Sequence, residues 1–125
     1  MLGLGEAPQA TADLIKDVTE ATFMADVIES SREVPVIVDF WATWCGPCKT
    51  LGPMLEAAVT AAAGKVRMAK VDVDKNQRIA AQLRIQSIPT VYAFWQGQPV
   101  DGFQGAVPAS ELKAFVDRVS ALAGD

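Results

Sequence analysis

Trp41-Ala42-Thr43-Trp44-Cys45-Gly46-Pro47-Cys48-Lys49 carries both cysteines of this 125-residue chain. Two residues separate the thiols, so at a strand-to-helix turn they can close into a small disulfide ring and open again. With Cys45 at the start of the helix, the unpaired backbone N–H groups and the positive end of the macrodipole favour its thiolate, the form that attacks disulfides. Cys48, one turn further in, is expected to be better shielded. That asymmetry assigns roles: Cys45 attacks and Cys48 resolves the mixed disulfide. The competing reading is a structural pair or two inert core thiols, which rarely sit at an exposed turn of this kind.

On the N-terminal side of this stretch, Pro35 opens Val36-Ile37-Val38-Asp39-Phe40-Trp41, an apolar run without alternation that predicts a central strand buried on both faces. A carboxylate inside such a strand is desolvated, and burial raises its pKa. Asp39 is therefore either a functional carboxyl with a raised pKa or a hydrogen-bonded structural group. On the C-terminal side, Leu51, Leu55, Ala58, Val59 and Ala62 trace one face of a helix that Gly64 is placed to cap, and Pro53 predicts a kink within it.

Elsewhere, Leu14 to Val18 reads as a short strand. Thr19 and Thr22 offer caps for an amphipathic helix with Phe23, Val27 and Ile28 inward, ending near Ser31 to Glu33. Val66 to Val73 is a second buried strand, Asn76 to Leu83 a short helix and Thr90 to Trp95 a third strand. Gln96-Gly97 turns the chain into Gln98 to Phe103, making an antiparallel hairpin. Pro108-Ala109-Ser110-Glu111 opens a last helix with Leu112, Phe115, Val116, Val119 and Leu122 inward. The order β-α-β-α-β-α-β-β-α predicts an α/β fold, a central mixed β-sheet of about five strands flanked by four helices. Residues 1–13, rich in Gly, Ala and Pro without periodicity, read as a flexible N-terminal tail, and residues 14–125 as one domain.

Half of the residues are hydrophobic, enough for one domain with a genuine core. A net charge of −4 with no basic cluster argues against nucleic acid and anionic membrane as partners. The absence of histidine removes cysteine–histidine proteases, serine triads and imidazole-held metals. No metal site is expected, because a structural zinc would have only two cysteines to draw on. A lone cysteine pair reads as catalytic in a reducing compartment. The N-terminus lacks a basic region and a long apolar run, so no secretory signal and a cytoplasmic location are expected.

Trp44-Cys45-Gly46-Pro47-Cys48-Lys49 after Val38-Asp39-Phe40-Trp41-Ala42 resembles the thioredoxin family, over roughly Leu14 to Leu122. The resemblance implies the thioredoxin fold and a protein-disulfide reductase, with Asp39 as the proton acceptor for Cys48. It implies that Lys70 neighbours Asp39, although a lysine in the strand Val66 to Val73 could equally snorkel to the surface. It also implies a cis Pro89 against the cysteine pair, with Ile88 free to pair with an extended peptide. Trp44, Gly46, Pro47, Gly105 and Ala106 complete the implied substrate surface. No bound cofactor is implied; electrons are expected from NADPH through a flavin-containing thioredoxin reductase. Gly46-Pro47 lacks the histidine of strongly oxidising relatives, which favours a reductant.

Two departures stand out. Gln86-Ser87 replaces the Arg-Gly that common thioredoxins carry before Ile-Pro-Thr, removing a charge beside the site. The segments Phe94 to Gln98 and Gly102 to Gly105 are more apolar than usual and look like the thioredoxin domain of chaperedoxins, bacterial redox co-chaperones. The alternative reading is thus a binding module that holds unfolded clients through surface aromatics such as Trp95 and Phe103.

Overall fold

The computed structural model describes residues 14–124, so the expected tail over residues 1–13 lies outside the described residues. The elements run β1 (Ile15–Asp17), a helical segment α1, β2 (Val36–Trp41), α2 (Gly46–Ala61), β3 (Arg67–Asp72), α3 (Gln77–Gln82), β4 (Thr90–Trp95), β5 (Gln98–Gln104) and α4 (Ala109–Ser120). α1 is a wide-turned π stretch, Met24–Glu29, followed by a 3-10 turn, Ser30–Arg32, rather than the regular α-helix expected. Its inward residues explain this: Phe23, Val27 and Ile28 lie four and five apart, and a wider turn keeps both spacings on one side.

The sheet has five strands in the order β1-β3-β2-β4-β5. β1, β3 and β2 are parallel, while β4 is antiparallel to β2 and β5 antiparallel to β4. β2 lies at the centre, and Val36 to Phe40 are all buried. Because side chains alternate along a strand, Val36, Val38 and Phe40 enter a cluster with Val27, Ile79 and Phe94. Ile37 enters the opposite cluster, with Leu51, Leu55 and Val59 of α2 and Leu112, Phe115 and Val119 of α4. Asp39 follows Ile37 by two residues and so faces α2 rather than α1.

The turns follow local chemistry. Gln96 (φ 57°) and Gly97 (φ 84°) both take left-handed conformations, as a two-residue hairpin turn of the right twist requires. Their N–H groups donate to the Ser31 carbonyl (3.0 Å) and Ser31 Oγ (2.9 Å), pinning the hairpin to α1. α2 runs on through Pro53 to Ala61. Beyond it, Ala63 (φ 54°) takes the left-handed position ahead of Gly64 (φ 91°), so the capping conformation begins one residue earlier than expected. Leu122 is not an inward residue: α4 ends at Ser120, and Leu122 is 39% exposed in the turn that follows.

Candidate functional site

The chain leaves the C-terminal end of β2 at Trp41 and enters α2 within five residues, which sets the cysteines at a strand-to-helix turn. Cys45 is the N-cap of α2, in extended conformation, and its Sγ accepts a hydrogen bond from Cys48 N–H at 3.2 Å. Pro47 in the first helical turn has no N–H to leave unsatisfied. A disulfide joins Cys45 and Cys48, with their Cα atoms 5.3 Å apart. Cys48 is not the better shielded of the two. Both are buried, Cys45 3% exposed and Cys48 6%, while Trp44, Gly46, Pro47 and Lys49 around them are exposed. Trp41, Val73 and Ile88 pack against the cluster that Ala42, Cys45 and Cys48 form. The asymmetry lies in surroundings instead of exposure.

On the Cys48 side, a cleft of about 420 Å³ is lined by Asp39, Trp41, Cys48, Gly52, Glu56 and Lys70, among others. Two periodicities bring these residues together. Asp39 and Lys70 are register partners on β2 and β3. Cys48, Gly52 and Glu56 recur every four residues on α2 and so share one helix face. At Gly52 a Cβ would lie 3.9 Å from Asp39 Oδ2, so no side chain separates the helix from the carboxylate. Asp39 is 2% exposed, and burial raises its pKa to about 6, with Lys70 opposing and Glu56 adding to the rise. Lys70 Nζ pairs with Glu56 Oε2 at 2.9 Å. Its pKa is raised, first by that hydrogen bond and further by Glu56, Asp17 and Asp39, against the effect of burial. Lys70 is thus both of the things expected of it, a neighbour of Asp39 and a partly exposed surface cation.

The Ile88 segment that packs on the cysteine cluster is apolar, in contrast to the charged cleft. The Ile88–Pro89 bond is cis, and Pro89 is buried. Ile88 precedes β4 and packs on the cysteine cluster. Gly105, in a left-handed conformation (φ 84°), donates its N–H to the Pro89 carbonyl at 2.8 Å, which joins the end of β5 to the start of β4. Ala106 beside it is exposed. Trp44 is 67% exposed, and its indole N–H donates to Asp74 Oδ2 at 2.8 Å.

Two participants were not foreseen from the sequence. Glu56 could have been found as the one charge on the Cys48-Gly52-Glu56 row. Asp74 signals itself only as part of the Asp72-Val73-Asp74 turn, where Asp72 Oδ1 accepts from the Asp74 N–H at 2.9 Å. The aromatics on which the client-binding alternative rested are not fully exposed. Trp95 and Phe103 are both half-buried, and Phe103 packs edge-on to Phe115 with ring centroids 5.0 Å apart. Among the described residues, no group of three or more Cys, Asp or Glu side chains is arranged to hold a metal ion, and no helix is long and apolar enough to cross a membrane.

A reversible dithiol at the N-terminus of a helix, on a mixed five-stranded sheet, defines a disulfide-exchange protein. Comparison with known proteins makes the assignment specific. Residues 14–118 match the family model described as thioredoxin. Thioredoxin 1 of Synechococcus elongatus is 45% identical over 101 residues, covering 81% of this chain and 92% of the relative. The bifunctional thioredoxin reductase/thioredoxin of Mycobacterium leprae is 48% identical over 90 residues, 72% of this chain and 19% of that protein. The crystal structure of Malassezia sympodialis thioredoxin is similar with a TM-score of 0.75 and 38% identity, covering 86% of this chain and 91% of that one. The chain belongs to the thioredoxin family, and its redox-active Cys45–Cys48 pair makes it a disulfide oxidoreductase.

Proposed function

We propose that the protein is a reductant of disulfides in other proteins, with residues 14–125 as its single working domain. The observation that carries this reading is the placing of the two sulfurs: Cys45 caps α2, where N–H groups and the helix dipole favour a thiolate, and Cys48 lies beside a buried carboxylate. In the reduced protein the Cys45 thiolate attacks one sulfur of the substrate disulfide. That bond breaks, a mixed disulfide forms at Cys45, and the first substrate sulfur leaves as a thiolate. The Asp39 carboxylate takes the proton of the Cys48 thiol. The Cys48 thiolate then attacks Cys45 Sγ, forming the internal disulfide and releasing the second substrate thiolate. Two electrons pass to the substrate, and its thiolates take up protons.

In this scheme Trp44, Gly46 and Pro47 face the incoming protein. The Ile88 backbone pairs with an extended segment of it, and Pro89, Gly105 and Ala106 shape the rest of the groove. Lys70 moderates the charge on Asp39. Electrons return from NADPH through a flavin-containing thioredoxin reductase, a partnership supported by the relative whose name joins the two activities. The domain itself holds no cofactor, and the cytoplasm is the setting in which such a pair is kept reduced. NADPH oxidation with thioredoxin reductase and a protein disulfide tests the reading. The parent turns over, whereas Cys48→Ser stops at a mixed disulfide on Cys45 and loses turnover by at least about a hundredfold, because an intramolecular attack becomes intermolecular. A parent that reduces no protein disulfide under these conditions overturns it.

A further inference from the structure

Glu56 stands in the cleft beside the reacting pair but touches neither sulfur, and the reaction as written leaves it without a task. Its Oε2 holds Lys70 Nζ at 2.9 Å. Lys70 is the register partner of Asp39 across β2 and β3, so its ammonium has two carboxylates within its range, and its ion pair is with Glu56. We propose that Glu56 is a positioning residue that holds the Lys70 ammonium away from the Asp39 carboxylate, keeping Asp39 a base able to take the Cys48 proton. This rests on the proposed disulfide-exchange scheme and deepens it.

The reason is electrostatic competition inside a partly dry cleft. A direct Lys70–Asp39 pair would favour the charged carboxylate and weaken it as a proton acceptor. Burial works the other way: Asp39 is 2% exposed, and its pKa stands near 6, close to where a proton is exchanged readily. The Glu56 charge also raises that pKa directly. The other polar or charged groups around the cleft are the Trp41 indole on β2, the Thr43 hydroxyl in the turn, Cys48 and Lys49 on α2, and Lys70 on β3, while Asp17 on β1 is the register partner of Lys70 on its far side. Lys49 and Asp17 are exposed, whereas Glu56 and Lys70 are half-buried and in contact, so Glu56 has the strongest hold on the ammonium. Gly52 lies between Cys48 and Glu56 on the helix and carries no side chain to screen one carboxylate from the other.

The test is the titration of the Asp39 carboxyl, followed by carbon NMR in the oxidised protein, in the parent, Glu56→Gln, Lys70→Met and the double variant. This readout needs no turnover, so it separates failure of this proposal from failure of the reductase reading. Glu56→Gln keeps the size and an acceptor but removes the charge, and the Asp39 midpoint is expected to move down from about 6 by about one pH unit. In the Lys70→Met background the same change shifts the midpoint by less, because no ammonium remains to be released. Resolution of a preformed Cys45 mixed disulfide slows severalfold in Glu56→Gln at neutral pH, more than its formation does. An Asp39 midpoint that stays in place in a folded Glu56→Gln protein overturns the proposal. So does a shift of equal size with and without Lys70, which reduces Glu56 to a distant charge. Should Glu56→Gln not fold, Glu56→Ala in the same cycle reads the same quantity.

Discussion

The two flanks of the Cys45–Cys48 pair are built from opposite materials. On one flank, Ile88 packs on the cysteine cluster, the neighbouring Pro89 is joined to Gly105 by a backbone hydrogen bond, and the indole of Trp44 is exposed. On the Cys48 flank, Asp39, Glu56 and Lys70 bring three charges into one cleft. Backbone and apolar surface recognise an extended chain without reading its sequence, whereas a desolvated carboxylate handles a proton. Under the proposed scheme this contrast divides binding and proton transfer between the two sides of one disulfide, so substitutions on each side should fail in different ways.

The largest effect is expected on the charged flank. Asp39→Asn removes the proposed proton acceptor, and turnover at neutral pH should fall by a factor of about 100 with little change in KM, measured by protein-disulfide reduction. A loss expressed only in KM would break the division. The same carboxylate governs stability with a definite sign. Its pKa in the folded protein is raised from 3.8 to about 6, so the folded state holds the proton more tightly than the unfolded one. Stability contributed by this group is therefore greatest below about pH 4, declines as pH rises towards 6, and levels off above that. The raised value corresponds to about 3 kcal/mol between those limits. Urea denaturation across pH should show this decline in the oxidised parent and lose it in Asp39→Asn, which should be the more stable protein at pH 7.

A smaller effect is expected on the groove. Gly105 has φ 84°, and a Cβ there would meet nothing within 4 Å, so Gly105→Ala carries only the backbone cost of a left-handed residue. That cost is about 1–2 kcal/mol, and KM for a protein disulfide should rise while the Asp39 titration stays put. A shift in that titration would show that the two flanks are coupled through Pro89, whose carbonyl accepts from Gly105. The smallest effect is expected at the rim. Asp74→Ala frees the Trp44 indole from its 2.8 Å hydrogen bond in an exposed setting, and KM should change by about twofold, with a change in tryptophan fluorescence reporting the released ring.

How far each flank could be read from the sequence follows from how it is assembled. The turn residues from Cys45 to Cys48 are neighbours in the chain, and the hydrogen bond that caps α2 runs between residues three apart. Burial of Asp39 was equally legible, because an apolar run without alternation leaves no wet face on which to put it. Glu56 was not, since its partner Lys70 comes from a different element and their meeting depends on how α2 lies across β3. The expected shielding of Cys48 failed for a similar reason: Val73 and Ile88, which pack against the cysteine cluster, come from loops distant in the chain. Leu122 fits the inward spacing of α4, yet the helix stops before reaching it.

By itself, then, the sequence determined the strand-turn-helix that holds the dithiol, the buried acid two residues before Trp41, and the alternation of strands and helices. These rest on periodicity, capping and turn chemistry, which act over a few residues. Only the tertiary structure decided which face of β2 meets α2, how Pro89 and Gly105 come together, and which carboxylate holds Lys70. Those are contacts between segments far apart in the chain, and burial energy selects them collectively, with no local pattern to announce them.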